Sequence, residues 1–427
     1  MTVVGVDDTD SRERGMCTTY LAARIAERIE AAGGTVERRL LIRLNPAVER
    51  KTRGNAALAI HTDLDADEAA AIATEELTPL AAVEDPRTSP GLVVADCEPE
   101  AVPDAIAEFA ADAVREFHDL EDALALADAA GFHTEGWAGG HGRIGALAAV
   151  GAYRAFEDWT VEHIAYRKFD RCGTPRDVDE ATLFGAAAEA YPAAWDTVDH
   201  GENAAVCVPN APGPILYGIR GDTAEAVRAV AEGIDAEPVE REALFLTNQG
   251  TDAHLRDVGT ANLATFHDGR AYRVDCVVAG EPETRRGGHV FVPIRSVNGD
   301  GEMAAAAFEP TKRFRDRVRA LRPGDRVTVC GEVSDGTLKL EKFAIRELNR
   351  TRTTNPTCPD CDRSMGSAGR GQGYRCRDCG TSAPGKVEIE VERELEEGWY
   401  EVPPCARRHI AKPLARGGFD APIHPER

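Results

Sequence analysis

Three carboxylates stand within four residues at Asp7, Asp8 and Asp10, in the run Gly5–Ser11 that follows the apolar, strand-like Thr2–Val6. Like charges that close repel unless a cation sits between them. Carboxylate oxygens suit a hard ion such as Mg2+, which commonly bridges nucleotide phosphates. A helix expected from Thr18 would turn its free amides toward the same phosphates. The plain alternative is a solvated acidic turn. Counter-charge is supplied by Arg50, Lys51 and Arg53, with Asn55 beyond them. Such a cluster suits a clamp on phosphates or on an RNA backbone, and its plain alternative is a basic surface turn.

A second constellation is more specific. Cys358-x-x-Cys361 and Cys376-x-x-Cys379 are separated by fourteen residues. Each C-x-x-C turn aims two thiolates at one point, and two such turns close a tetrahedral structural Zn2+ site. A redox dithiol lacks the βαβ context it would need. Between the pairs, Tyr374 and Arg375 offer an aromatic and a cation suited to stacking on a base. The remaining cysteines are scattered, and no secretory signal argues for a disulfide framework.

These residues require elements to position them. Thr2–Val6, Arg39–Leu44, Asn55–Thr62 and Gly91–Ala95 read as strands, and Thr18–Ala32, Asp63–Leu77 and Pro103–Ala130 as helices, an alternation that points to an α/β or α+β front half. A glycine-rich loop, Gly136–Gly145, lets backbone approach a ligand closely. Thr247–His254 is a dense polar patch whose bland alternative is a hairpin tip or linker. From about Val258 the texture is all-β. Five short strands, with one helix (Thr311–Leu321) between the third and fourth, follow the order of an OB-fold, a small barrel that commonly holds oligonucleotides. The charged segment Lys386–Glu392 opens a tail in which the sequence shows no chemistry.

The formal net charge is −23 over 427 residues, yet between Thr311 and Ser382 there are 16 Lys/Arg against 9 Asp/Glu. A basic island in an acidic chain marks a phosphate-contacting surface. With only seven lysines and acid-coated helices, the composition also fits a salt-rich cytosol. No run approaches the roughly 18 apolar residues of a membrane span, so the expectation is a cytoplasmic protein with no membrane and no obligate protein partner.

The motifs GVDDTDS, CTT at Cys17–Thr19, RLNP, KTRGNAA, TEGWAGG, YGIRG, TNQGTDAHL and EPTKRFR, in that order over residues 1 to 382, resemble the archaeal agmatidine synthetases of isoleucine tRNA. The resemblance implies a multidomain chain: a kinase-like α/β domain (1–125), a ferredoxin-like α+β domain (126–255), an OB-fold barrel (256–350), a zinc ribbon (351–383) and a tail (384–427). It implies that ATP activates the 2-carbonyl oxygen of the wobble cytidine by phosphorylation, and that the primary amine of agmatine then displaces phosphate. Asp7, Asp8 and Asp10 would hold Mg2+, and Thr18 would be the hydroxyl that the family phosphorylates on itself. Lys51, Arg53 and Asn55 would contact nucleotide or cytidine. Asp196, Asp199 or Asp222 would face agmatine. Lys312, Arg313 and Arg315 on the barrel, with Tyr374 and Arg375 on the ribbon, would grip the tRNA through its anticodon and acceptor regions. Two departures affect loop geometry: Met16 stands where a second glycine is expected, and His141 where an arginine would fit. The rival expectations are an RNA-binding protein without catalysis, a small-molecule kinase carrying RNA modules, and a ligase that uses lysine as the amine.

Overall fold

In the computed structural model, which describes residues 1–13, 15–51 and 54–427, the chain up to Thr247 forms one nine-stranded sheet. Its strands are β1 (Thr2–Asp7), β2 (Val36–Arg43), β3 (Ala56–Thr62), β4 (Gly91–Ala95), β5 (His133–Gly136), β6 (Thr160–Arg167), β7 (Ala194–Trp195), β8 (Ile215–Gly221) and β9 (Val239–Thr247), in the order β5-β4-β1-β3-β2-β9-β6-β8-β7. Only the β2–β9 pair is parallel, and it joins the two halves of the sheet. The two front units expected from the sequence are therefore fused edge to edge.

β1 is central and buried on both faces. Val4 and Val6 join the core under α1 (Thr18–Ala31) and α2 (Ala66–Leu80). Val3 joins the opposite core, under α3 (Asp104–Ala113), α4 (Leu120–Ala129) and α5 (Gly142–Ala155). Successive strand side chains point to opposite faces, so a strand covered on both sides reads as a continuous apolar run. Gly5 completes the pattern, because a Cβ there would collide with the Ala146 carbonyl of α5. α5 packs on β1, β3 and β4, and β5 pairs with β4, so both elements lie against the first half of the sheet. The single helix expected over Pro103–Ala130 is two helices, with α4 starting after Asp119. α6 (Glu180–Ala190) and α7 (Ala224–Glu232) cover the second half of the sheet.

A closed five-stranded barrel follows. β10 (Ala271–Val278), β11 (Val290–Ser296), β12 (Glu302–Ala307), β13 (Arg326–Ser334) and β14 (Thr337–Glu347) close through the parallel β12–β14 pair and the antiparallel β13–β10 and β13–β14 pairs. The short α8 (Phe314–Arg319) buries Phe314 and Val318 in the barrel core. Beyond the barrel, Thr351–Thr354 pairs with Val387–Glu390 as a two-stranded arm carrying the cysteine-rich unit. The tail returns to the body: Gly398–Glu401 pairs with β14, and Trp399, Ile410 and Leu414 are buried. No described helix is long and apolar enough to cross a membrane.

Candidate active site at the end of the first strand

β1 ends at Asp7, and the chain turns through Asp8 in the left-handed region (φ 57°), a conformation that aspartate tolerates better than most residues. The turn is fixed by its own polar groups. The Asp8 N–H donates to Asp7 Oδ1 at 2.7 Å, and the Ser89 N–H donates to Asp8 Oδ2 at 2.9 Å. Thr88 Oγ1 donates to the Asp10 carbonyl at 2.6 Å, and Ser11 Oγ to Asp85 at 2.9 Å. The Thr9 hydroxyl donates to Thr18 Oγ1 at 3.1 Å, which brings the first residue of α1 against the acidic turn.

Electrostatics make this turn unusual. Burial, then the neighbouring Asp8 and Asp10 charges, pushes the Asp7 carboxyl well above its usual range. Burial also lifts Asp8 to about 7. Two carboxylates that would rather be neutral, with a third beside them, form an oxygen-donor set that fits a divalent cation.

The glycine-rich loop serves this carboxylate. A Cβ at Gly145 would fall far inside contact with Asp7 Oδ2, and one at Gly142 would lie 2.7 Å from the Asp7 carbonyl oxygen. The glycines therefore admit α5 to the acidic turn, where the sequence suggested close approach to a ligand. His141 bridges Ser89 Oγ at 3.3 Å and Arg50 Nη1 at 2.7 Å. Lys51 donates to the Pro46 carbonyl, and burial pulls its ammonium below the usual value. Asn55 Nδ2 donates to the Asn45 carbonyl at 2.9 Å. Arg53 lies outside the described residues.

Asp7, Asp8, Asp10, Thr18, Lys51 and Asn55 all line one cavity of about 980 Å³. Its walls include the acidic turn, the basic turn at Lys51 and Asn55, the α3–α4 connection, the start of α5, the second half of the sheet at Glu162, Ile164 and Ile215, and the barrel at Asp268, Gly269, Glu332 and Ser334. It is large enough for a nucleotide together with a base and a small amine.

Four further residues line the cavity that the sequence does not single out: Arg43, Glu162, Glu116 and Phe117. Arg43 is framed by the polar patch. Its N–H donates to Asn248 Oδ1 at 2.8 Å, its Nε to Gln249 Oε1 at 2.9 Å, and its carbonyl accepts from Asn248 Nδ2 at 3.0 Å. Glu162 lies 3.5 Å from both Arg43 Nη2 and Arg220 Nε. The TNQG and YGIRG motifs thus converge on one buried carboxylate, and that shared target is invisible without the sheet.

Asp196, Asp199 and Asp222 do not line the cavity. Each is held by an arginine from elsewhere. Asp196 pairs with Arg407, Asp199 accepts from Arg313 Nη1 at 3.0 Å, and Asp222 accepts from Arg416 Nε at 2.6 Å. Two of these arginines belong to the tail, so the aspartates fasten the tail and barrel to the sheet. Arg313 also pairs with Glu426, and Arg315 Nη1 donates to the Gly288 carbonyl at 2.9 Å. Lys312 lies 3.8 Å from Glu202, a surface contact weak enough to exchange for a phosphate.

In the cysteine-rich unit, one thiol sulfur from each of Cys358, Cys361, Cys376 and Cys379 lies within 4.8 Å of the others. The two knuckles are alike. The Cys358 N–H donates to the Arg363 carbonyl at 2.8 Å, and the Cys358 carbonyl accepts from the Asp362 N–H at 2.9 Å. The Cys376 N–H donates to the Thr381 carbonyl at 2.8 Å, and the Cys376 carbonyl accepts from the Gly380 N–H at 3.1 Å. Hydrogen bonding with Thr381 draws the Cys379 thiol down to about 6, toward the thiolate a metal requires. All four donors fit Zn2+ and leave no open position. Tyr374 and Arg375 lie on the short strand preceding Cys376.

Family models match three stretches: the TiaS TCKD domain at residues 3–64, the TiaS FLD domain at 140–254 and the TiaS C-terminal zinc ribbon domain at 355–395. A protein of Haloquadratum walsbyi, named as the isoleucine-tRNA 2-agmatinylcytidine synthetase TiaS, is 59% identical, with 100% of each chain covered. The solved complex of TiaS with its isoleucine tRNA and ATP superposes with a TM-score of 0.89 at 43% identity, covering 100% of this chain and 99% of that one. The complex of TiaS with the same tRNA, AMPCPP and agmatine does so with a TM-score of 0.86 at 41% identity, over 100% and 99%.

Proposed function

The chain belongs to the isoleucine-tRNA 2-agmatinylcytidine synthetase family, and from that membership we propose how its cavity carries out the reaction. It is an ATP-dependent ligase that joins agmatine to a cytidine of isoleucine tRNA. The observation that carries our reading is the convergence of an acidic turn, a hydroxyl and cationic side chains on one cavity walled by both the sheet and the barrel.

The chemistry explains why such a site is needed. The 2-carbonyl oxygen of cytosine is a poor leaving group. In our reading a phosphoryl group passes from ATP to that oxygen. The primary amine of agmatine attacks the 2-carbon, phosphate departs with the oxygen, and the amine loses a proton. Asp7, Asp8 and Asp10 would hold Mg2+, which when bound neutralises charge on the nucleotide phosphates. Lys51 and Arg43 face the same cavity and stabilise the charge that develops on the transferred group. Thr18 Oγ1 accepts from Thr9 and keeps its own proton for a phosphate oxygen or for transfer. Agmatine is a dication. We assign its charged end to Glu162, which lines the cavity where Asp196, Asp199 and Asp222 do not.

We read the front units as kinase-like and ferredoxin-like and the barrel as an OB-fold. The barrel, together with the ribbon side chains Tyr374 and Arg375, would hold the tRNA. The modified base would then pair with adenine, so that the tRNA decodes an A-ending isoleucine codon. Mass spectrometry of the digested anticodon provides the test. Incubation with ATP, Mg2+ and agmatine is expected to yield an agmatine-linked nucleoside, with none formed when ATP is omitted or lysine replaces agmatine. Unmodified cytidine in the complete mixture would overturn the reading.

A further inference from the structure

Of the large hydrophobic side chains exposed among the described residues, Phe117 is the most exposed, at 52%, and it lines the catalytic cavity. Its place is built. Between α3 and α4 the chain is held by the two residues that precede the phenylalanine. Arg115 Nε donates to the Ala253 carbonyl at 2.7 Å, and Glu116 accepts from Arg270 Nε at 2.8 Å and pairs with Arg256. The edge of the ring then lies on Gly269 of the barrel, where an added Cβ would come 2.5 Å from Phe117 Cζ. Gly269 is itself pinned. Its N–H donates to the Val333 carbonyl at 2.8 Å, and its carbonyl accepts from Asn45 Nδ2 at 3.0 Å. A half-exposed aromatic ring is thus presented to the cavity, and among the described residues it is the one phenylalanine, tyrosine or tryptophan on its wall.

We propose that Phe117 is the platform on which an unpaired base of the anticodon loop stacks as the cytidine enters the cavity. The inference rests on the reading that this cavity modifies a tRNA base. A base must leave its neighbours before its 2-carbon can be reached, and the stacking it gives up has to be replaced. An apolar ring offers nothing to a phosphate or an amine, but its π-face suits any base. The two candidates are the wobble cytidine and the base on its 3′ side.

Two measurements on the full-length protein test this. In steady-state modification of an isoleucine tRNA transcript, Phe117→Ala is expected to lower kcat/KM for tRNA by roughly 10- to 100-fold. KM for ATP and for agmatine stays unchanged, as does the melting temperature, and Phe117→Trp restores activity. In the second, transcripts carry pyrrolo-cytidine at the wobble position or 2-aminopurine on its 3′ side. Binding to the wild type should quench one of these probes, and the one quenched identifies the stacked base. The quenching should disappear in Phe117→Ala. Wild-type kcat/KM in Phe117→Ala, or equal quenching of both probes in the two proteins, overturns the proposal. If the wild type fails to modify tRNA, the functional reading falls, and the fluorescence comparison still decides the stacking.

Discussion

Asp8→Asn is expected to lower agmatine transfer by at least about 100- to 1,000-fold, the scale of removing one charge-stabilising group from a transfer site, with tRNA affinity unchanged. The substitution is nearly isosteric, and asparagine tolerates the left-handed backbone and can still accept from the Ser89 N–H. Only the negative charge is removed. Asp8→Ala would confound charge with backbone strain at φ 57°. The same variant has a second signature. Because burial raises Asp8 from 3.8 to about 7, the stability of the nucleotide-free wild type is fully present below the lower value and declines as pH rises toward the upper one. Asp8→Asn escapes that decline. Its melting temperature should therefore exceed the wild type's at pH 8 without Mg2+ and match it near pH 4, as calorimetric scans can check. Modification near the wild-type rate would remove Asp8 from the mechanism.

The second large effect comes from one added methyl group. Gly145→Ala places a Cβ inside the contact radius of Asp7 Oδ2, in the first turns of α5. Alanine suits a helix better than glycine by about 1 kcal/mol, so the fold survives while the carboxylate is displaced. Activity should fall about 100-fold with little change in melting temperature, because misplacing a group by about 1 Å costs that much. Gly185→Ala is the control. It lies at an exposed position of α6 with nothing near the added atom, so it should stabilise the protein slightly and leave the rate intact. Equal rates for the two variants would show that the approach of α5 to Asp7 does not matter for catalysis.

Which parts of this molecule can be read from its sequence follows from the range of the interactions. The acidic turn lies within four residues and the zinc ligands within 22, so their spacing declares them. The five barrel strands lie close to their expected positions because alternation and turn residues act locally. The break between α3 and α4 was written in Asp119, which precedes α4, but a long helical periodicity hid it. What local patterns cannot show is pairing across 200 residues. Leu40 and Leu41 meet Leu246 and Thr247, and this pairing sets Arg43 beside Asn248 and Gln249. The agmatine expectation at Asp196, Asp199 and Asp222 rests on charge and on nearness to the YGIRG segment, whereas the structure engages each of the three with an arginine. The tail arginines that occupy two of these aspartates sit in a segment whose sequence carries no periodic pattern. Phe117 escaped notice because an isolated phenylalanine in an amphipathic stretch reads as core.

The central claim is that the carboxylates ending β1 recruit a divalent cation that presents ATP to the cavity. Isothermal titration of ATP into the wild type, with Mg2+ and with a chelator, tests it most directly. The account predicts binding with Mg2+ that is lost in the chelator and lost in Asp8→Asn. Binding of equal strength with and without Mg2+, or unchanged in Asp8→Asn, would contradict it.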